Sequence, residues 1–160
     1  MNTIEIPLTQ GFVAVIDEAD WPLVQDYKWS VAVRRDAYAT RQYAQTFVGR
    51  SIVLMHRLLL GAEPGQTVDH EDGDGLNNRR SNLRLATTSQ DGANNNRARA
   101  RSGYRGVYPN KQRWMARVSS TYIGRFDTPE EAALARDEAM RQTFGVFGRY
   151  NFPVEGERAA

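Results

Sequence analysis

The sequence predicts an α+β protein, and three observations predict it. Residues 4–55 run through short stretches rich in Val, Ile, Tyr and Thr, residues 104–127 hold three more, and one strong helix pattern over 128–145 follows the last. A polar stretch that passes from acidic to basic, "VDHEDGDGLNNRRSNLRLATTSQD" (68–91), lies between the two regular parts.

Taken in order, "FVAVID" (12–17) is an apolar run that gives way to the turn-like "EADWP". "YKWSVAV" (27–33), "AYATRQYA" (37–44) and "SIVLM" (51–55) read as strands, with "RRD" and "VGR" as turns between them. "HRLLLG" (56–61) is too short for its periodicity to class it. "AEPGQT" is punctuation, and "DGANNNRARARSG" (91–103) has no apolar period and reads as a basic connector. "YRGVYP", "RWMARVSS" and "TYIGRFD" then read as three successive strands. The helix over "TPEEAALARDEAMRQTFG" has Thr128 as N-cap, Pro129 in the first helical position and Glu131 completing the capping box. Gly145 or Gly148 ends it, and Ala132, Ala135 and Ala139 share a face small enough to lie close on a sheet.

Composition narrows the function classes. At 160 residues, 41% hydrophobic and 25% charged, the chain has ordinary globular values. It has no cysteine, which excludes a disulfide framework, a thiolate zinc site and a thiol nucleophile. No apolar run approaches the roughly 18–20 residues that span a bilayer, so no membrane partner is expected. "MNTIEIPLTQGF" has an early acid and no cationic lead-in, unlike a signal peptide, and a cytoplasmic setting in a prokaryotic or phage-infected cell is the expectation. The net charge of +2 conceals an asymmetry: residues 77–125 hold ten arginines and Lys111 against the single acid Asp91, leaving the rest of the chain acidic. Such concentrated charge is the footprint of a polyanion binder, because cations on a nucleic acid release its condensed counterions.

The polar stretch is not a calcium loop. With Gly75 at the sixth position of an EF-hand, His70 falls at the first and Ser81 at the twelfth, and neither suits the ion. Phosphodiester hydrolysis explains more of the pattern, since it needs an activated water, a base and positive charge on the phosphate. Adjacent Asp and His on a strand face opposite ways, so one can hold a metal while the other addresses water. An asparagine carbonyl can accept the second imidazole N–H and fix its tautomer. Asp72, Asp74, Asn77 and Asn78 read as turn and loop formers beside Gly73 and Gly75.

"DHxDGxxLNNRxxNLR", preceded by "MHRLLLG", resembles the HNH homing endonucleases of phages and mobile introns over about His56 to Asn96. "IPLTQGFVAVIDEADWPLVQDYKW" is similar to the N-terminal portion usual in that family. The resemblance implies a ββα-metal nuclease core with one divalent ion, Mg²⁺ foremost and Mn²⁺ as an alternative. It implies Asp69 as a metal ligand, His70 as general base and Asn82 as the residue that orients His70. The second ligand position falls at Asp91, where the family commonly has asparagine; a carboxylate is the better ligand for a hard cation. The arginines between Asp69 and Asp91 are expected to face a phosphate. His56 is read as a supporting core histidine, with a direct phosphate or metal role as the alternative.

"YRGVY", "RWMARV" and "YIGRFDTPEEAALARDEAMRQTFGVFGRYNFP" resemble the APETALA2-type DNA-binding domain of plant ethylene-response factors over about residues 102–153. That implies a three-stranded antiparallel sheet in the DNA major groove with one helix behind it. Strand alternation puts Arg113 and Arg117 on one face and Trp114 on the other, in the core. Arg97, Arg99, Arg101, Arg105, Arg113, Arg117, Tyr122 and Arg125 are the expected DNA contacts.

The expected organisation is a β-rich region (1–55), the HNH core (56–96), a basic connector (97–101), the APETALA2-type domain (102–153) and a tail (154–160). The expected function is metal-dependent cleavage of double-stranded DNA. No protein partner is implied, and monomer and dimer stay open. The alternative is a non-catalytic DNA-binding regulator on an HNH scaffold, with RNA binding a remoter one.

Overall fold

A computed structural model of the chain describes residues 2–35, 40–94 and 101–160, and its contacts separate Met1–Asp91 from Gly92–Ala160. Among the described residues it is a mixed α/β structure of several small sheets and few helices.

In the first unit β1 (Thr3–Pro7) and β2 (Val13–Asp17) form an antiparallel hairpin, and the one-turn α1 (Trp21–Val24) follows. A second sheet, in the order β3 (Ser30–Arg35), β4 (Thr40–Val48), β5 (Ser51–Leu54), leads directly into α2 (Met55–Leu60). The segment "HRLLLG", unclassed by pattern, is thus this helix. Its Met55, His56 and Leu59 are buried, and it stops at Gly61 in the left-handed conformation (φ +60°). A third pair, β6 (Thr67–His70) and β7 (Leu83–Ala86), is antiparallel, and α3 (Thr88–Asn94) follows it. Ile16, Val24, Met55, Leu59, Val68 and Leu83 belong to one apolar cluster that joins all three sheets. Each such side chain contributes about 1.5–3 kcal/mol when fully buried, so this cluster fixes β6 against its neighbours.

The hairpin β1–β2 reaches the polar stretch directly. Val15 bridges Asn77 in parallel, accepts from the Asn78 N–H at 2.7 Å and donates to the Leu76 carbonyl at 2.9 Å. Asp17 accepts the Arg80 backbone N–H at 2.8 Å, and Asp20 takes the Arg80 guanidinium at 2.8 Å.

The second unit has β8 (Val107–Asn110), β9 (Arg113–Val118) and β10 (Thr121–Phe126) in one antiparallel sheet with β9 central. The helix α4 (Pro129–Phe144) packs on it, with Val107, Ala116, Ala132 and Ala133 in the core between. Its start is the capping box: Thr128 Oγ1 accepts from Glu131 N at 3.2 Å, and Glu131 Oε2 accepts from Thr128 N at 3.3 Å. The buried stripe differs from the expected row of alanines, because Arg136 and Asp137 lie in it, at 2% and 0% exposure. They pair at 2.9 Å, and Asp137 also accepts from Asn151 Nδ2 and the Phe152 N–H, so the charges are compensated. Asn151 in turn grips both backbone groups of Arg105, which ties "YRG" to "NFP". Gly106 between them has φ +74°, and a Cβ there would lie 2.5 Å from the Arg117 carbonyl oxygen. The short strands β11 (Arg149–Tyr150) and β12 (Arg158–Ala159) pair in parallel.

Candidate active site

The site is built on the end of β6. Register sets Asp69 opposite Arg84, whose Nε and Nη2 meet Asp69 Oδ2 at 2.8 and 2.7 Å. Asp69 is only 3% exposed, so this ion pair compensates a carboxylate that burial alone would make costly. Arg84 is therefore turned to Asp69. Arg80 is turned to Asp20, and Arg79 Nε donates to Asn77 Oδ1. These three arginines, expected to face a phosphate, instead hold the protein's own oxygens.

His70, also buried, points its Nε2 at Asn78 Oδ1 across 3.4 Å. The other end of that carboxamide donates to the Leu76 carbonyl at 3.0 Å, which leaves oxygen toward the ring. An oxygen needs a donor, so the neutral imidazole carries its hydrogen on Nε2 and is basic at Nδ1. Asn82, given the orienting role on the motif, makes different bonds. Its Oδ1 accepts from Asp72 N, and its Nδ2 donates to Asp72 Oδ1 and the Asn77 carbonyl. It closes the loop that delivers Asn78. Asp72 and Asp74 complete that loop as turn formers, accepting from the backbone N–H of Asp74 and Leu76.

One side chain absent from the sequence-based site completes the aromatic wall. Tyr43 of β4 lies 5.5 Å from His56 and 6.0 Å from His70 between ring centroids, and the two histidine rings meet edge-on at 4.9 Å. Gly75 allows this, since a Cβ at 75 would stand 2.6 Å from the Tyr43 ring. Nothing local in "RQYAQ" marks Tyr43. Asn78 had one signal, its place two residues beyond the inward-turned Leu76.

Burial sets the charges. It pushes His56 down to about 3, with the neighbouring His70 and then Arg57 and Arg34 adding to the effect. Burial also lowers His70, against the opposing pull of Asn78 and of Asp72, Asp69 and Asp74. Both rings are neutral at physiological pH. His56 Nδ1 is buried with no hydrogen-bond partner. Asp91 is raised, first by partial burial of its carboxyl and then by the charge of Asp69, while Arg41 opposes. A cavity of about 260 Å³ has Arg34, Tyr43, His56, Arg57 and Asp91 among its lining residues.

No three His, Asp or Glu side chains form a ready metal cluster among the described residues. The donor set that does exist is two carboxylates, Asp69 and Asp91, close enough for one to raise the proton affinity of the other. Two hard oxygens with mutual repulsion fit a hard divalent cation that keeps open positions for water and phosphate oxygens.

The sequence model of one protein family, described as HNH endonuclease, matches residues 53–93. Those residues are similar to an HNH endonuclease domain. The span runs from β5 through α3 and contains His56, Asp69, His70, Asn78, Asn82 and Asp91. A protein of Acanthamoeba polyphaga mimivirus described as an uncharacterized HNH endonuclease is 29% identical over 146 residues, which is 89% of this chain and 76% of the relative. No solved structure matches the chain significantly. The hairpin β1–β2 that clamps the 76–78 loop lies outside the matched span.

In the second unit Arg113, Arg117, Tyr122 and Arg125 are exposed on the sheet, and Arg101 is exposed before it. Arg113 pairs with Asp127 at 2.7 Å and Arg117 donates to the Ser120 carbonyl at 2.9 Å. Trp114 packs against the core, as alternation requires. Arg105, expected at a base or phosphate, is half-buried and directs its guanidinium to the Ala93 carbonyl at 3.3 Å. Arg97 and Arg99 lie outside the described residues. No described helix is long and apolar enough to cross a membrane.

Proposed function

We propose that the chain is a metal-dependent HNH DNA endonuclease of the homing type, hydrolysing phosphodiester bonds in duplex DNA. The observation that carries the reading is the buried Asp69–His70 pair, with His70 neutral and bound by Asn78, and Asp91 coupled to Asp69.

A divalent ion, Mg²⁺ foremost, held by Asp69 and Asp91 would supply positive charge to the scissile phosphate and the leaving oxygen. The protein's own groups do the rest. His70 accepts the proton of the attacking water at Nδ1, and its lowered proton affinity keeps that nitrogen unprotonated at neutral pH. Asn78 Oδ1 holds Nε2–H and so fixes the ring's tautomer and plane. Arg84 fixes the plane of the Asp69 carboxylate through Oδ2.

The second unit serves as the duplex reader, an APETALA2-type sheet, with Arg113, Arg117, Tyr122 and Arg125 toward the DNA. The ion pair of Arg113 with Asp127 is at the surface and exchanges readily for phosphate. The order βββα and the outward arginines support this reading.

Nicking of supercoiled plasmid with Mg²⁺ tests the proposal. His70→Ala should abolish cleavage and keep binding, and EDTA should silence the wild type. A His70→Ala variant that cuts as the wild type does removes His70 from the chemistry.

A further inference from the structure

The expected DNA contacts lie in the second half of the chain, yet the first unit carries an unassigned pair of cations beside its own site. Arg34 on β3 and Arg41 on β4 are register partners, directly opposite one another in the antiparallel pair. Like charges so placed repel, and nothing in packing a sheet calls for them. Both stand on the face that carries Tyr43, two residues along β4 from Arg41, and Tyr43 meets both histidine rings. Arg34 lines the cavity that Tyr43, His56 and Asp91 share.

Elimination sharpens the assignment of Arg34, while Arg41 stands on its register and its face. Arg57 also lines the cavity, but its guanidinium is bound to the carbonyls of Ala62, Glu63 and Gln66. Arg79, Arg80 and Arg84 are bound to Asn77, Asp20 and Asp69. The Arg34 side chain is exposed and makes no hydrogen bond or ion pair among the described residues. The pair is felt at the site: Arg41 lowers and Arg34 lowers Tyr43, and Arg41 opposes the rise at Asp91.

We infer that Arg34 and Arg41 form a phosphate-binding pair that seats the nucleic-acid backbone beside the cavity lined by Tyr43, His56 and Asp91. The inference rests on the endonuclease reading and names where the first unit holds its substrate. Each planar guanidinium presents its donors in a fixed fork, which suits phosphate oxygens better than a flexible ammonium. The contact reads backbone and not bases, so it adds affinity without sequence choice.

The test uses the full chain and random-sequence duplex DNA in EDTA, with affinity measured over a range of salt. Each lost phosphate contact reduces the slope of log affinity against log salt by about 1, so Arg34→Gln/Arg41→Gln should be shallower by about 2. Arg34→Lys/Arg41→Lys should keep the wild-type slope. If the double Gln variant melts early, Arg34→Gln alone, at an exposed side chain, should lose about 1. A folded Gln variant with the wild-type slope, or a wild type that binds no duplex, overturns the inference. Adding Mg²⁺ to the same samples reads cleavage separately. A wild type that binds but never nicks sinks the endonuclease reading and leaves the slope to decide this one.

Discussion

The side chain of Asn78 meets the ring of His70, Oδ1 to Nε2 at 3.4 Å, with Asn78 wholly buried and His70 5% exposed. Partners of this kind, one step behind a reacting group, typically contribute 10–100-fold to activity. Asn78→Ala should therefore lower the single-turnover nicking rate by about 10–100-fold while leaving DNA affinity near wild type. Asn82→Ala should act otherwise, loosening the 72–77 loop and lowering the melting temperature. Equal rates for Asn78→Ala and wild type in a stability-matched assay would contradict the orienting role.

The histidine pair predicts how stability depends on acid. His56 is pushed down to about 3 in the folded chain, below its ordinary value of 6.5. The unfolded chain binds the proton more readily, so stability is full above pH 6.5 and is lost as pH falls from there toward 3. The loss from this residue is about 1.4 kcal/mol per pH unit within that window. Urea midpoints at pH 7 and pH 5 should fall for the wild type, and His56→Gln should flatten the difference.

Arg84 faces Asp69 across the hairpin, and Asp69 has almost no solvent of its own. Removing one partner of such a buried pair costs about 3–5 kcal/mol. Arg84→Ala should lose stability on that scale in urea titration, and Asp69→Asn/Arg84→Ala should recover part of it. A single variant with the wild-type midpoint would show that water already screens the pair.

Gly75 is needed for close approach. Any side chain there meets the Tyr43 ring and the β4 backbone. Overpacking of this kind costs about 1–3 kcal/mol, so Gly75→Ala should melt lower and, by displacing Tyr43, also slow nicking. Tyrosine fluorescence and rate should change together.

Much of the fold was legible where a rule is local. The capping box at Thr128 and Glu131 predicted the start of α4, and a period of two put Trp114 inward and Arg113 and Arg117 outward. What was not legible was tertiary. "HRLLLG" is a helix because Met55, His56 and Leu59 are buried where it packs on two sheets, which six residues cannot announce. Arg136 and Asp137 look like solvated helix charges until Asn151 and Phe152 are seen to meet them. The site divides along the same line. The Asp69–His70 pair stands out by composition, but Asn78 and Tyr43 enter only through contacts from β2 and β4.

The parallel bridge from Val15 to the 76–78 loop bears on how such a centre can be inherited or transplanted. The residues that answer to the HNH family begin at 53, yet the loop carrying Asn78 is fastened by Val15, Asp17 and Asp20, with Asp17 and Arg80 63 positions apart in the chain. A cassette cut at the family boundary would carry every motif residue and still lack the strand that holds the loop in register. A graft that keeps the loop in register has to carry β2 and the turn after it as well.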